Sequence, residues 1–476
     1  MNILRSYSKT KIICTLGPSS SSVETLEKMM NAGMDVARFN FSHGNHHDHL
    51  IRLQTVRTAA RNVGESIVIL QDLQGPKIRI GKLAADKIEL NVGDTITISI
   101  NELIGTKEIV STTYQRFAED VQPGDKILID DGKLELRAIF TKPTEVLCET
   151  VVGGMLRPNK GINLPGVKIS SPSLTEKDED DALFGLNNGV DYMALSFVRR
   201  ASDVHYFRKF MLKNGFNVPI IAKIEKPEAI NEIGNIIDIA DGIMVARGDL
   251  GVEMPMEQVP VLQKMIAHQT TAKEKLLIVA TQMLETMTEN PFPTRAEAND
   301  VANAVLDGAD AVMLSGETSV GKYPIETVAM MDKIVRKAEE ILPVRDLRTS
   351  DEKISDINDS IGRAACVLAK KMNASGIVVV TNNGETALKI SSFRPKARII
   401  AITNNEETLR KLNLAWGVHG FYLRRTPENA EEGFRVIREI LVQDGFVSRG
   451  DFIVEVSGIP FFESRNTDTI KIEKVD

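Results

Sequence analysis

The stretch 219-PIIAKIEKPEAINEIGNIIDIADGIMVARGDLG-251 decides how the rest of the chain is read. Two apolar runs, Ile220–Ile224 and Ile243–Ala246, flank a short segment of helical pattern. Each run stops on charge: Lys223 and Glu225 at the first, Arg247 and Asp249 at the second. Such runs are the signature of parallel strands covered on both faces, with chemistry gathered at their carboxyl ends. Glu225 and Asp249 offer hard oxygen ligands suited to Mg²⁺, and Mn²⁺ accepts the same donors. Lys223 lies two residues before Glu225 and so shares its face of a strand. An ammonium beside two such acids suits an oxyanion that develops during reaction. The same charges also make a plain structural ion-pair cluster in a barrel mouth, and these residues alone leave both readings open.

Outward from this stretch, buried-strand patterns recur at Lys11–Leu16, Val36–Phe41, Ile67–Leu73, Tyr192–Phe197, Ile220–Glu225, Gly242–Ala246, Leu276–Thr281 and Ala311–Leu314. Amphipathic segments alternate with them, among them Ser22–Ala32, His47–Val63, Thr175–Asn187, Val259–Lys273 and Arg295–Asp307. Eight strand–helix units predict an α/β fold, a (β/α)₈ TIM barrel, over residues 1–74 and 170–344. A doubly wound open sheet is the alternative, but no GxGxxG follows the first strand.

One connection breaks the rhythm. Between Leu73 and Tyr192 the texture changes to short strands at Ile88–Leu90, Thr95–Ile100, Lys126–Ile129, Leu134–Ile139 and Glu145–Val151. Asn91-Val-Gly, Pro123-Gly-Asp and Asp131-Gly punctuate them, as turns punctuate all-β structure. The reading is a small β-barrel domain, residues 75–169, inserted after the third barrel strand. Gly75-Pro76 and Pro165-Gly166 make hinges for a lid that would exclude water from the barrel mouth. After about residue 345 the pattern resets: the charged segment 345–352 reads as a linker, and residues 345–476 as a separate α/β regulatory and assembly domain.

The totals agree with this division. A chain of 476 residues is too long for one small domain, and 42% hydrophobic with 26% charged residues is ordinary for a soluble protein. A net charge of −7 argues against a general nucleic-acid binder. Cys14, Cys148 and Cys366 are sparse, odd in number and without metal spacing, which points to a reducing compartment and core roles. The amino terminus lacks a signal-peptide pattern, and no apolar run of about 18 residues appears. The cytoplasm is the expected compartment, with no membrane partner.

Several segments together closely resemble pyruvate kinase: KIICTLGPSS, ARFNFSHG, LQDLQGPKIR, NKGINLPG, AKIEKPEA, ARGDLGVE, ATQMLETM, PTRAEANDVANAVLDGADAVMLSGET and GKYP, between residue 11 and about residue 324. The resemblance implies Mg-dependent transfer of a phosphoryl group from phosphoenolpyruvate to ADP, giving pyruvate and ATP, the last step of glycolysis. It implies that Glu225 and Asp249 hold Mg²⁺ and that Lys223 stabilises the transferring phosphoryl group and the enolate left behind. Gly248 and Asp249 would offer amides to the substrate carboxylate. Thr281 would sit near the carbon to be protonated and work through water, and Arg38 would clamp phosphate as a guanidinium fork. Asn40, His43, Arg79 and Lys160 match the residues that contact the nucleotide. A homotetramer is implied as well.

At the monovalent site the chain departs from the family. The K⁺ ligands would be Asn40, Ser42, Asp72 and the carbonyl of Leu73. K⁺-dependent members usually read DTKGPEIR where this chain reads DLQGPKIR, with Leu73, Gln74 and Lys77. An acid has become a base, so the Lys77 ammonium is expected to replace K⁺. In the carboxyl-terminal domain, the loop Thr381, Asn382, Asn383, Gly384, Glu385 and Thr386 occupies the place of a sugar-phosphate activator site. Glu385 disfavours a bisphosphate, so the expected effector is a sugar monophosphate, with a merely capped helix start as the alternative. Two other functions use similar residues: a metal-dependent barrel lyase that forms an enolate, and a silent sensor that keeps the effector loop. Arg38, Arg79, Lys160 and the inserted lid favour phosphoryl transfer over the first. The full set of Lys223, Glu225, Asp249 and Thr281 argues against the second.

Overall fold

Residues 8–170, 172–342, 357–424, 427, 429–462 and 467–476 are described by a computed structural model of the chain. The expected linker at 345–352 lies outside the described residues. Strands Lys11–Thr15, Val36–Asn40, Val68–Asp72, Tyr192–Leu195, Ile220–Ile224, Gly242–Ala246, Leu276–Ala280 and Ala311–Leu314 pair in parallel and close into a barrel, the first strand against the last. Six of these eight strands end one or two positions earlier than their apolar runs suggest. The cause is visible at two of them: Phe197 and Thr281 adopt φ of +53° and +69°, and no residue continues a ladder from there. Both residues leave the sheet at these positions.

The helices pack outside the barrel by their apolar faces. His46–Val63 is representative: Asn45 and Asp48 form a capping box at its start, and Leu53, Val56 and Ala59 recur along the face turned to the strands. The lid follows the third strand. It holds a six-stranded sheet and a two-stranded ribbon, Gly154–Leu156 with Ile88–Leu90. Both share a core that includes Ile80, Leu90, Ile98, Phe117, Leu136 and Cys148. At its entry, Gly75 has φ +69°, and a Cβ there would lie 2.7 Å from the Phe197 ring, so only glycine fits between hinge and barrel.

The carboxyl-terminal sheet runs in the order Val418–Tyr422, Arg398–Thr403, Gly376–Val380, Phe452–Ser457, Thr469–Lys474. Its last strand is antiparallel to the rest. This domain docks on the barrel end opposite the mouth. Leu414 enters the apolar cluster that fills the barrel interior, and Arg410–Asp191 at 2.8 Å and Arg394–Asp310 at 2.9 Å tie the two units. Cys14, Cys148 and Cys366 are all buried and unpaired. No helix among the described residues is long and apolar enough to cross a membrane.

One charge in this sheet is costly. Glu455 is buried in the strand Phe452–Ser457, and neither carboxylate oxygen has a hydrogen-bond partner. Arg438 at 3.7 Å and Lys471 at 3.8 Å are its nearest cations, and Lys471 also pairs with Glu473. Burial pushes the Glu455 carboxyl from an ordinary 4.5 up to about 7, while Lys471 and Arg438 oppose the rise and Glu473 adds to it. The fold therefore prefers the protonated form. That stabilisation is complete below about pH 4.5 and disappears as pH rises through about 7. It is on the order of 3 kcal/mol. Glu455→Gln should flatten the fall in stability between pH 5 and 8 and melt above the unsubstituted chain at pH 8. Denaturant midpoints across that range check this, and a lower midpoint for the variant at pH 8 contradicts it.

Candidate active site

The barrel register brings four charged side chains from strands two, three and five into one line. Arg38 and Asp72 lie on neighbouring strands, and Arg38 Nε and Nη2 each lie 2.7 Å from Asp72 Oδ2. Arg38 Nη1 donates to Thr15 Oγ1 at 2.8 Å. On the other side of Asp72, Lys223 Nζ lies 3.1 Å from its Oδ1 and 2.9 Å from Glu225 Oε1. Lys223 also donates to Ser196 Oγ at 2.8 Å. The Phe197 amide donates to the second Glu225 oxygen at 2.8 Å. The side chains of Asp72 and Glu225 are 1% exposed, those of Arg38 and Lys223 10%. In such surroundings desolvation offsets much of the pairing energy, so the line fixes geometry more than it stabilises the fold.

The electrostatics follow from that geometry. Burial alone would lower the Lys223 ammonium, but Asp72 and Glu225 outweigh it and hold its pKa above the ordinary lysine range. Burial would raise Asp72, yet Lys223 and Arg38 keep it below the usual carboxylate value. Glu225 stands higher than an ordinary glutamate, first through burial and then through the like charge of Asp249, with Lys223 opposing. A buried acid whose ionisation a second acid makes costlier, beside a lysine, forms a site that a divalent cation relieves, so the donors fit Mg²⁺. Among the described residues, no group of three or more His, Cys, Asp or Glu is arranged to hold a metal.

Asp249 stands on the helix Arg247–Glu253, a seven-residue turn that the apolar pattern of the sequence did not reveal. Arg247 anchors its start. Its guanidinium donates to the carbonyl of Thr281 at 2.7 Å and to Asp300 Oδ1 at 2.7 Å. This anchor holds Thr281 and Gln282 in consecutive left-handed conformations, φ +69° and +54°. Strained backbone of this kind persists only where its surroundings impose it. The Thr281 hydroxyl accepts from the Gly248 amide at 2.7 Å, and a Cβ on Gly248 would lie 3.3 Å from that hydroxyl. The Gly248 amide, expected to serve the substrate carboxylate, is engaged by Thr281 here.

The remaining mouth residues are more dispersed. His43 is exposed on the loop after strand two. Desolvation, then the positive field of Arg79, Lys77 and Arg38, hold its ring below the ordinary histidine pKa. Arg79 donates to the Asn159 carbonyl at 3.0 Å, and Lys160 pairs with Asp130 at 2.8 Å within the lid. Asn40 Oδ1 accepts the Ser42 amide at 3.1 Å, and the Leu73 carbonyl accepts the Ser196 hydroxyl at 2.7 Å.

Residues 7–328 match the family profile described as pyruvate kinase, barrel domain, and residues 359–473 the one described as pyruvate kinase, alpha/beta domain. The chain belongs to the pyruvate kinase family. The pyruvate kinase of Geobacillus stearothermophilus is 44% identical over 474 residues, covering 98% of this chain and 80% of that one. The Corynebacterium glutamicum pyruvate kinase is 44% identical over 464 residues, with 98% and 97% covered. A crystal structure of a pyruvate kinase from Cryptosporidium parvum superposes with a TM-score of 0.91 at 36% identity, over 98% of this chain and 96% of that one.

As a pyruvate kinase the chain is a phosphotransferase with a TIM barrel and a carboxyl-terminal α/β domain, and divalent-metal dependence goes with the family. Three roles in the site were not legible in the sequence. Ser196 joins Lys223 to the Leu73 carbonyl, Thr15 orients Arg38, and Arg247 holds the strained turn at Thr281. Only Arg247 carried a signal, as the charge that ends strand six. In the loop 381–386, the Thr381 hydroxyl accepts the Gly384 amide at 2.9 Å and Thr386 pairs with Thr467 at 2.6 Å, so both hydroxyls are turned inward.

Proposed function

We propose that the line Arg38–Asp72–Lys223–Glu225 is the site at which phosphoenolpyruvate gives its phosphoryl group to ADP. The observation that carries this is the buried ammonium of Lys223, held 2.9 Å from Glu225 while Asp249 stands in the same field. When bound, Mg²⁺ supplies Lewis-acid charge to the substrate's carboxylate and phosphoryl oxygens, and Glu225 and Asp249 hold it. Arg38, fixed by Asp72 and Thr15, presents its guanidinium to the phosphoryl oxygens. As the bond between phosphorus and the enol oxygen breaks, its electron pair stays on that oxygen, and the fixed Lys223 charge stabilises it without rearrangement. A new bond forms between phosphorus and the terminal phosphate oxygen of ADP. A proton delivered through water at Thr281 then reaches the substrate methylene carbon and completes pyruvate. His43, Asn40, Arg79 and Lys160 serve the nucleotide phosphates. Lys160 would release Asp130 to do so, which couples nucleotide arrival to the lid.

The monovalent cation is replaced by Lys77. Three of the four oxygens that would hold K⁺ already accept protein donors, and Lys77 contributes to the positive field at His43. One coupled assay tests both statements. Pyruvate release from phosphoenolpyruvate should require ADP and Mg²⁺, yet keep its rate within about twofold when tetramethylammonium replaces K⁺, because a fixed ammonium supplies the charge. Lys77→Glu should lose most activity and regain it with K⁺. A collapse of the unsubstituted enzyme without K⁺ refutes the replacement. The loop 381–386 is proposed to take one sugar phosphate rather than two, and the assembly to be a homotetramer in the cytoplasm. The domain limits 75–169 and 345–476 complete this reading.

A further inference from the structure

Glu253 closes the helix that carries Asp249. Its carboxylate is 2% exposed and reaches two other parts of the molecule with one oxygen. That Oε1 accepts from Lys226 Nζ at 2.5 Å and from Asn163 Nδ2 at 2.8 Å. Lys226 follows Glu225 directly, and its side chain is 8% exposed. Its ammonium also lies 5.6 Å from the centre of the Phe197 ring, and Phe197 is the residue whose amide holds Glu225. Asn163 belongs to the lid, in the short strand Ile162–Asn163.

The helix Arg247–Glu253 is therefore pinned at both ends, with Asp249 between. Arg247 ties its start to the turn after strand seven. Glu253 ties its end to the turn after strand five and to the lid. A buried ion pair is a weak source of net stability, because desolvation consumes what attraction supplies. Such a pair is well suited to setting a distance. The cavity beside it, lined by Asn163, Lys226, Phe197 and Lys77, holds about 20 Å³, room for little more than one water. Neither substrate enters there, so these groups act through their neighbours.

We propose that Lys226 and Glu253 form a positioning clamp that sets the separation of the Glu225 and Asp249 carboxylates, with Asn163 linking that separation to the seat of the lid. The inference rests on reading Glu225 and Asp249 as the metal ligands. Neither clamp residue touches the metal; they hold the two elements that present its ligands.

The test is direct titration of Mn²⁺ against the intact enzyme, with the free ion followed by electron paramagnetic resonance, alongside steady-state kinetics. Lys226→Met and Glu253→Gln should each weaken Mn²⁺ binding about 10-fold, the lower end of losses seen when groups that orient metal ligands are removed. The double variant should lose no more than either single, because the pair acts as a unit. Asn163→Ala should leave Mn²⁺ affinity nearly intact and raise the KM for ADP. Mn²⁺ affinity within about twofold of the unsubstituted enzyme in folded Lys226→Met and Glu253→Gln overturns the clamp, since that is too small for an orienting role. Glu225→Gln in the same titration separates the two readings: if it loses Mn²⁺ while the clamp variants keep it, only the clamp is wrong. If it too binds normally, the metal assignment fails. Should Lys226→Met not fold, Glu253→Asp keeps the charge but shortens its reach; weakened Mn²⁺ binding supports the clamp and unchanged binding overturns it.

Discussion

Replacing Lys223 with Met is expected to lower kcat about 10³-fold, close to 4 kcal/mol of transition-state stabilisation. The size follows from where the ammonium sits. It is desolvated, fixed by three partners and aimed into the mouth, so none of its field is lost to reorganisation when charge moves onto the enol oxygen. The KM for phosphoenolpyruvate should move much less, because Arg38 and the metal ligands still meet the ground state. The substitution also leaves Glu225 without its cation. Its carboxyl, already raised by burial and Asp249, should rise further, so the residual activity should shift toward higher pH. The pH profile of kcat in the variant reads this out. Activity near that of the unsubstituted enzyme would mean that Lys223 is a structural counter-ion only.

Glu225→Gln should be at least as damaging, by a different route. The variant keeps the shape of the side chain and removes one of the two charges that fit a divalent ion. Lys223 would remain paired with Asp72 and the barrel would stay intact. The expected result is a loss of about 10³-fold in kcat at any attainable Mg²⁺ concentration, since metal-borne stabilisation of a transferring phosphoryl group is worth several kcal/mol. Asp249→Asn should behave alike. A thermal midpoint close to the unsubstituted value should accompany the loss in Glu225→Gln, because that substitution removes a buried charge whose ionisation burial and Asp249 make costly. A variant that recovers full rate with modestly more Mg²⁺ would place the ion elsewhere.

Most of the fold was legible because a barrel writes itself as repeated apolar runs. The strands were visible as runs that are buried on both faces, and the lid as a change from that texture to short strands with turn residues at Asp131-Gly132 and Pro123-Gly124. Charged residues that end such runs stood out for the same reason, which is how Lys223, Glu225 and Asp249 were found. What the sequence hid has a common physical cause. Ser196, Thr15 and Arg247 act through partners 23 to 123 positions away, and only the closure of the barrel brings those partners within hydrogen-bond reach. The left-handed turn at Thr281 was hidden too, because Thr-Gln is not a turn signal; Arg247 imposes that conformation from outside. Asp72 was assigned to a monovalent site by its motif alone. Its place between Arg38 and Lys223 became visible only with the register of strands two, three and five. Glu253 shows the same limit. Its partners lie 27 and 90 positions away, in elements that nothing local to the helix identifies.

The most direct test of the account is a crystal of the enzyme with Mn²⁺ and phosphoenolpyruvate, measured for the anomalous signal of the metal. The account predicts one peak between the carboxylates of Glu225 and Asp249, at about 2.0–2.2 Å from an oxygen of each, with the Lys223 ammonium beside the enol oxygen. A peak bound to only one of these acids, or away from both, would contradict it.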